Sequence, residues 1–226
     1  MLPLQDLNPT RRIPFVTYLL IAINVIVFLW EQSNPPAELQ DLLLQLAIVP
    51  ARVVENPFTM ETLLDFLRSM FFHGGWAHLL GNMLYLFLFG DNLEDRLGRP
   101  LYLFVYLLSG FIAGVAQILI NPESTLPLVG ASGAIAGVLG GYLILFPNAK
   151  VRGLIFLGLF SRVAELPAFV VLGLWFLLQL FNGVISVGVQ TSASGGVAFF
   201  AHVGGFIAGL ILTALLAQVV PDRDRS

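Results

Sequence analysis

Residues 124–149 read STLPLVGASGAIAGVLGGYLILFPNA, with no charged side chain between Glu123 and Lys150. From Ser132 the run is apolar until Pro147, which predicts a helix over 132–147. Gly133, Gly137 and Gly141 recur at four-residue spacing, with Ala136 and Gly140 beside them. A face of small residues lets membrane helices approach until their backbones touch. Ser132 lies 15 residues before Pro147, which is about 22 Å of helix. A bilayer hydrocarbon core is about 30 Å thick. The helix is therefore short, and the spacing places Ser132 roughly 8–10 Å below one membrane surface.

The same scarcity of charge extends along the chain. Of 226 residues, 57% are hydrophobic and 11% charged, against about 25% charged in soluble domains. This excludes a disordered chain and an ordinary soluble enzyme. With 11 Lys and Arg against 14 Asp and Glu, there is no basic surplus to bind nucleic acid. The absence of Cys removes disulfides, thiolate metal sites and a Cys nucleophile. Residues 13–30, 69–90, 100–122 and 166–221 are also free of charge. The last window is too long for one span of about 20 residues. Its Gly-, Ser- and Asn-rich middle, 182–196, reads as a loop. The expectation is an all-α polytopic membrane protein, 1–226 as one domain, with six transmembrane helices over 14–31, 76–91, 101–120, 132–147, 166–182 and 197–219.

Nine of the eleven basic residues fall on one side of that arrangement: Arg11, Arg12, Arg96, Arg99, Lys150, Arg152, Arg162, Arg223 and Arg225. The positive-inside rule places both termini in the cytoplasm of a cell (inner) membrane. The first helix reads as an uncleaved span, since no clear cleavage site follows it. The external connection 32–75 is long, and Leu42, Leu43, Leu46, Leu63, Leu64 and Leu67 point to interfacial amphipathic helices. Residues 153–160 are apolar but too few to span. They are expected to dip into the cytoplasmic interface.

Polar groups within the spans are few, and burying them in lipid is costly. His78 and Asn82 share a helix face. Ser132 starts the short helix, and His202 lies on the last one. By rise per residue, Asn82 and His202 sit about 10 Å and 8 Å into their helices from the outer side, close to the depth of Ser132. Gly205 and Gly209 share a face with His202, so packing against Gly133, Gly137 and Gly141 would bring His202 toward Ser132. A serine hydroxyl needs a base to become a nucleophile, and His202 is the candidate. No carboxylate lies within the charge-free windows, so the arrangement is a Ser–His dyad without the third member of a triad. Asn82, His78 and the backbone N–H groups of Ser132 and Gly133 are candidates to hold an oxyanion. Each residue also has a structural reading: Ser132 as an N-cap, His202 as a satisfied core histidine, Asn82 as interhelical glue, His73 as a solvated surface side chain. Trp175 either lines an entrance or simply faces lipid or core.

Four stretches together resemble the rhomboid intramembrane proteases. Gly130-Ala131-Ser132-Gly133 is similar to their GxSG serine motif. HGGWAHLLGN at 73–82, followed by DNLEDRLG at 91–98, resembles their second helix and the turn after it. AHVGGFIAG at 201–209 resembles their histidine helix. The resemblance implies a serine endopeptidase cleaving transmembrane segments near the outer leaflet, with Ser132 and His202 catalytic. It implies His78, Asn82 and the serine-loop N–H groups at the oxyanion, and close packing by Gly205 and Gly209. It also implies single-span membrane protein substrates in the bilayer, no cofactor, no metal and the minimal bacterial form. His73 matches the family's first histidine in this region. Two positions depart from the pattern. Ala136 stands where many members carry an aromatic against the catalytic histidine. Leu64 and Asp65 stand where a Trp-Arg pair often occurs.

Two other classes remain. A short helix whose N-terminus faces a polar cavity also serves transporters and channels, which would bind solute and cleave nothing. No intramembrane Asp or Glu and no inverted repeat supports that class. An inactive rhomboid-like protein that binds membrane clients would bind without turnover.

Overall fold

In the computed structural model, which describes residues 1–157, 160–188 and 198–220, α7 (Ser132–Leu145) lies at the centre, with every residue from Gly133 to Tyr142 buried. A helix that is apolar all round belongs inside. Around it stand α5 (Trp76–Leu97), α6 (Arg99–Ile120) and α9 (Phe199–Val219), with α1 (Phe15–Gln32) against α5 and α8 (Ala168–Gly188) against α9. The glycines explain how closely α7 is held. A Cβ at Gly205 or Gly209 of α9 would overlap the carbonyl oxygen of Gly133 or Gly137. A Cβ at Gly140 would overlap the carbonyl of Phe206, and one at Gly133 would lie 2.5 Å from the Ala113 methyl of α6.

Among the described residues, four helices are long and apolar enough to cross a membrane: Phe15–Gln32, Arg99–Ile120, Ala168–Ser186 and Phe199–Val219. α7 has only 14 residues. α5 runs six residues past the expected end at 91, because its charged last turns have partners within the fold. Glu94 accepts hydrogen bonds from the backbone N–H of Val16 (2.9 Å) and Thr17 (2.8 Å) and from the Thr17 hydroxyl. It thus caps the N-terminus of α1 with a carboxylate, where the helix dipole favours negative charge. Gly98, at φ +80°, lets α6 start at once after α5, and Pro100 follows in its first turn.

The connection 32–75 holds three helices: α2 (Pro36–Leu46), α3 (Pro50–Glu55) and α4 (Met60–Ser69). α4 buries a face that holds Phe66 beside three polar residues. Leu63 and Leu67 are exposed, while Thr62, Asp65 and Ser69 are buried. Asp65 receives Arg52 at 2.8 Å and Arg68 at 3.3 Å, and Arg52 also donates to the carbonyls of Leu44 and Ala47. This arginine ties α2, α3 and α4 together, so an Arg52–Asp65 pair wires the connection in place of a Trp-Arg pair. Burial raises the Asp65 carboxyl above its ordinary range despite the arginines.

The all-α expectation needs a correction. β1 (Leu2–Asp6), β2 (Lys150–Leu157) and β3 (Phe160–Pro167) form an antiparallel sheet in the order β1-β2-β3. The apolar stretch from 153 is therefore strand through 157, with 160 opening the next strand. Arg152 stands opposite Glu165 and bonds it at 2.7 Å, which holds the Glu165 carboxyl below its ordinary range. β1 is fastened through Asp6, which accepts from Tyr142 Oη and Asn92 Nδ2, both at 2.8 Å. Desolvation pushes the Asp6 carboxyl up to about 6. A second correction concerns α8. It continues to Gly188 where a loop was expected from Asn182, its Ser186 hydroxyl donating to the Gly183 carbonyl and Gly183 lying against Phe199 and Phe200. The rest of that expected loop, 189–196, the expected first residue of the last helix, 197, and Arg223 and Arg225 lie outside the described residues.

Candidate active site

Ser132 is the first residue of α7, so the N–H groups of Ser132 and Gly133 have no intrahelical acceptor. The segment before it is set by Gly130. Its N–H donates to the Ser69 carbonyl at 2.9 Å, and its φ of +130° suits glycine. A Cβ there would stand 2.7 Å from Cε1 and Nε2 of His78 and 3.4 Å from Ser132 Oγ. The imidazole edge of His78 thus lies against Gly130, beside the serine.

His202 sits in the first turn of α9, where Ala201 N–H donates to Gln117 Oε1 of α6 at 3.2 Å. Its Nε2 is 2.8 Å from Ser132 Oγ. The glycine contacts between α7 and α9 bring this pair together, with 70 residues of chain between them. On the other side of the ring, His202 Nδ1 is 2.8 Å from Gln179 Oε1 of α8. The Trp175 ring lies 5.9 Å from the His202 ring and 6.1 Å from Phe206. Ala136, four residues after the serine, is fully buried in α7. The aromatic beside His202 comes instead from α8.

His73 is a correction. It is 3% exposed, not solvated. Its Nδ1 lies 3.2 Å from the Phe71 carbonyl and its Nε2 3.0 Å from Asn82 Nδ2. Only one tautomer satisfies both contacts: Nδ1–H donates to the carbonyl, and Nε2 accepts from the Asn82 amide. One Asn82 N–H is therefore held by His73, and the second has no partner among the described residues. His78 Nδ1 accepts from the Gly74 N–H at 3.4 Å, which leaves its proton on Nε2, the atom beside Gly130. The His73 and His78 rings meet edge to face at 5.1 Å. The backbone N–H of His73 donates to both carboxylate oxygens of Glu31 at 3.1 and 3.2 Å, a fully buried side chain at the end of α1.

The sequence reading missed Glu31, the burial of His73, and Gln179. Glu31 closes the charge-free window of α1, so it reads as a boundary. Gln179 did leave a signal: in AFVVLGLWFLLQLF, residues 168–181, it is the one amide in an otherwise apolar span, and polar groups in such spans face a partner. Beside Ser132 lies a cavity of about 50 Å³ lined by Phe66, Met70, Gly110, Ala113, Gly130 and Ser132 among others. Among the described residues, no group of His, Asp and Glu side chains could hold a metal ion.

The chain is similar to several curated proteins. RHOMBOID-like protein 4 of Arabidopsis thaliana is 34% identical over 151 residues, 66% of this chain and 33% of the relative. Rhomboid protein 1, mitochondrial, of Saccharomyces cerevisiae is 35% identical over 148 residues, 62% of this chain and 39% of the relative. The rhomboid protease GluP of Bacillus subtilis is 26% identical over 204 residues, 90% of this chain and 35% of the relative. The chain thus spans well under half the length of each. The rhomboid domain pattern matches residues 60–219, a stretch that includes Ser132, His202, His78 and Asn82, and the chain belongs to the rhomboid family of multi-pass membrane proteins.

Proposed function

We propose that this chain is an intramembrane serine endopeptidase working by a Ser132–His202 dyad. The observation that carries the reading is the 2.8 Å contact between Ser132 Oγ and His202 Nε2, at the N-terminus of a short helix enclosed by the bundle. We take residues 1–226 as one rhomboid domain crossing a cell (inner) membrane six times. α5 and α7 supply the two crossings shorter or more charged than the rest, and both termini face the cytoplasm.

In this mechanism a substrate's transmembrane segment unwinds near the outer leaflet and presents a carbonyl to Ser132. The Ser132 proton passes to His202 Nε2 as Oγ bonds to the carbonyl carbon. The oxyanion is held by His78 Nε2–H, the free N–H of Asn82 and the first-turn N–H groups of α7, whose dipole favours negative charge. The C–N bond then breaks, and the proton on His202 goes to the leaving amine. Water attacks the acyl-enzyme with His202 again as base, returning Ser132 and releasing the acid. The cavity beside Ser132 has room for at least one water, which needs roughly 10–15 Å³. Substrates of this chemistry are single-span proteins with helix-weakening residues near the cut.

Purified protein in liposomes should cleave a single-span substrate protein. Ser132→Ala and His202→Ala should each lower turnover by about 10³-fold or more. Undiminished cleavage by both variants would overturn the dyad. Solute-dependent stabilisation with no cleavage would favour a transporter.

A further inference from the structure

His202 must hold its proton on Nδ1 before reaction, because only then does Nε2 offer a lone pair to the Ser132 hydroxyl. The dyad itself does not secure this. A serine hydroxyl both donates and accepts, so it fits either tautomer. The opposite nitrogen decides, and there Gln179 presents its carbonyl oxygen at 2.8 Å. A carbonyl oxygen accepts and never donates, so this contact requires Nδ1–H. Trp175 lies one helical turn earlier on the same face of α8 and bounds the ring plane at 5.9 Å. Together they supply the two restraints an imidazole base needs, direction and tautomer, where Ala136 of α7 supplies neither.

We infer that Gln179 is a positioning residue, which fixes the His202 tautomer through its side-chain oxygen, with Trp175 holding the ring. The inference rests on the dyad reading and adds an uncharged third member to it. The choice of an amide follows from the surroundings. A carboxylate in this place would have to be desolvated within an apolar helix. An amide offers the same acceptor without charge.

The chain holds three histidines, so ¹⁵N-histidine labelling gives three imidazoles, and the set belonging to His202 is the one lost in His202→Ala. The intact protein should show His202 with Nδ1 protonated and Nε2 bare. Gln179→Leu keeps the volume and removes the acceptor. It should move His202 toward the Nε2–H form and lower kcat by roughly tenfold or more, with KM within about twofold. Gln179→Glu returns an acceptor oxygen and should restore the Nδ1–H form and most of kcat. If His202 is Nε2-protonated in the intact protein, or if Gln179→Leu keeps both the tautomer and kcat, the inference fails. The two readings fail separately: no Ser132-dependent cleavage with the Nδ1–H tautomer lost in Gln179→Leu would sink the protease reading and keep this one.

Discussion

His202 has two neighbours, and they hold it in different ways. α7 meets α9 backbone to backbone, through glycines at which a single added carbon would strike a carbonyl. α8 meets His202 through two side chains, Trp175 and Gln179. Of the 18-residue apolar window in α8, 22% is buried, against 33% in that of α9. The first contact has no slack and sets the distance between serine and histidine. The second is adjustable and sets the ring's direction. The same site thus joins a rigid seam, as close-packed interiors are, to an element that reaches His202 through side chains.

Three substitutions probe that contrast. The largest effect should come from the seam. Gly209→Leu forces a side chain into the Gly137 backbone and should destabilise the fold by about 3 kcal/mol or more, seen as a lost or strongly lowered unfolding transition in detergent. Recovery of a folded, fully active Gly209→Leu protein would break the comparison. Trp175→Ala should leave the unfolding midpoint nearly unchanged and lower kcat by up to about tenfold, the worth of one aromatic contact. The smallest effect lies at the opposite end of α7, where Asp6 grips Tyr142. The Asp6 carboxyl is raised from 3.8 to about 6 in the fold. The native state therefore binds its proton more tightly than the unfolded chain does. The stability this contributes is complete below about pH 4 and is lost as pH rises through about 6. Asp6→Asn should flatten that part of the pH dependence of the unfolding midpoint, and an unchanged slope would show that Asp6 is not its source.

Much of this was legible before the structure because lipid penalises charge so heavily. Arg99 and Glu123 bracket α6, and the charge-free window 124–149 contains α7 with Ser132 at its start. The glycine spacing that joins α7 to α9 was visible as well, since close approach in a membrane needs small residues on both faces. What stayed hidden depends on partners distant in sequence. β1 is a strand only because it pairs with 150–157, far along the chain, and its five residues have no periodicity of their own. The charged end of α5 read as a turn because the helix N-terminus that Glu94 caps belongs to another element. His73 looked solvated beside two glycines. Its burial follows from Asn82, Phe28 and Glu31 closing around it. Gln179 was visible as a lone amide, but its aim at His202 depends on the rotation of α8.

The most direct test of the dyad is labelling with a fluorophosphonate, a reagent that reacts with an activated serine hydroxyl, followed by mass spectrometry of the modified residue. The account predicts a single major adduct, on Ser132, formed at least about 10³ times more slowly in His202→Ala. Labelling of Ser132 at an undiminished rate in His202→Ala would contradict it, as would substrate cleavage by a protein whose Ser132 never reacts.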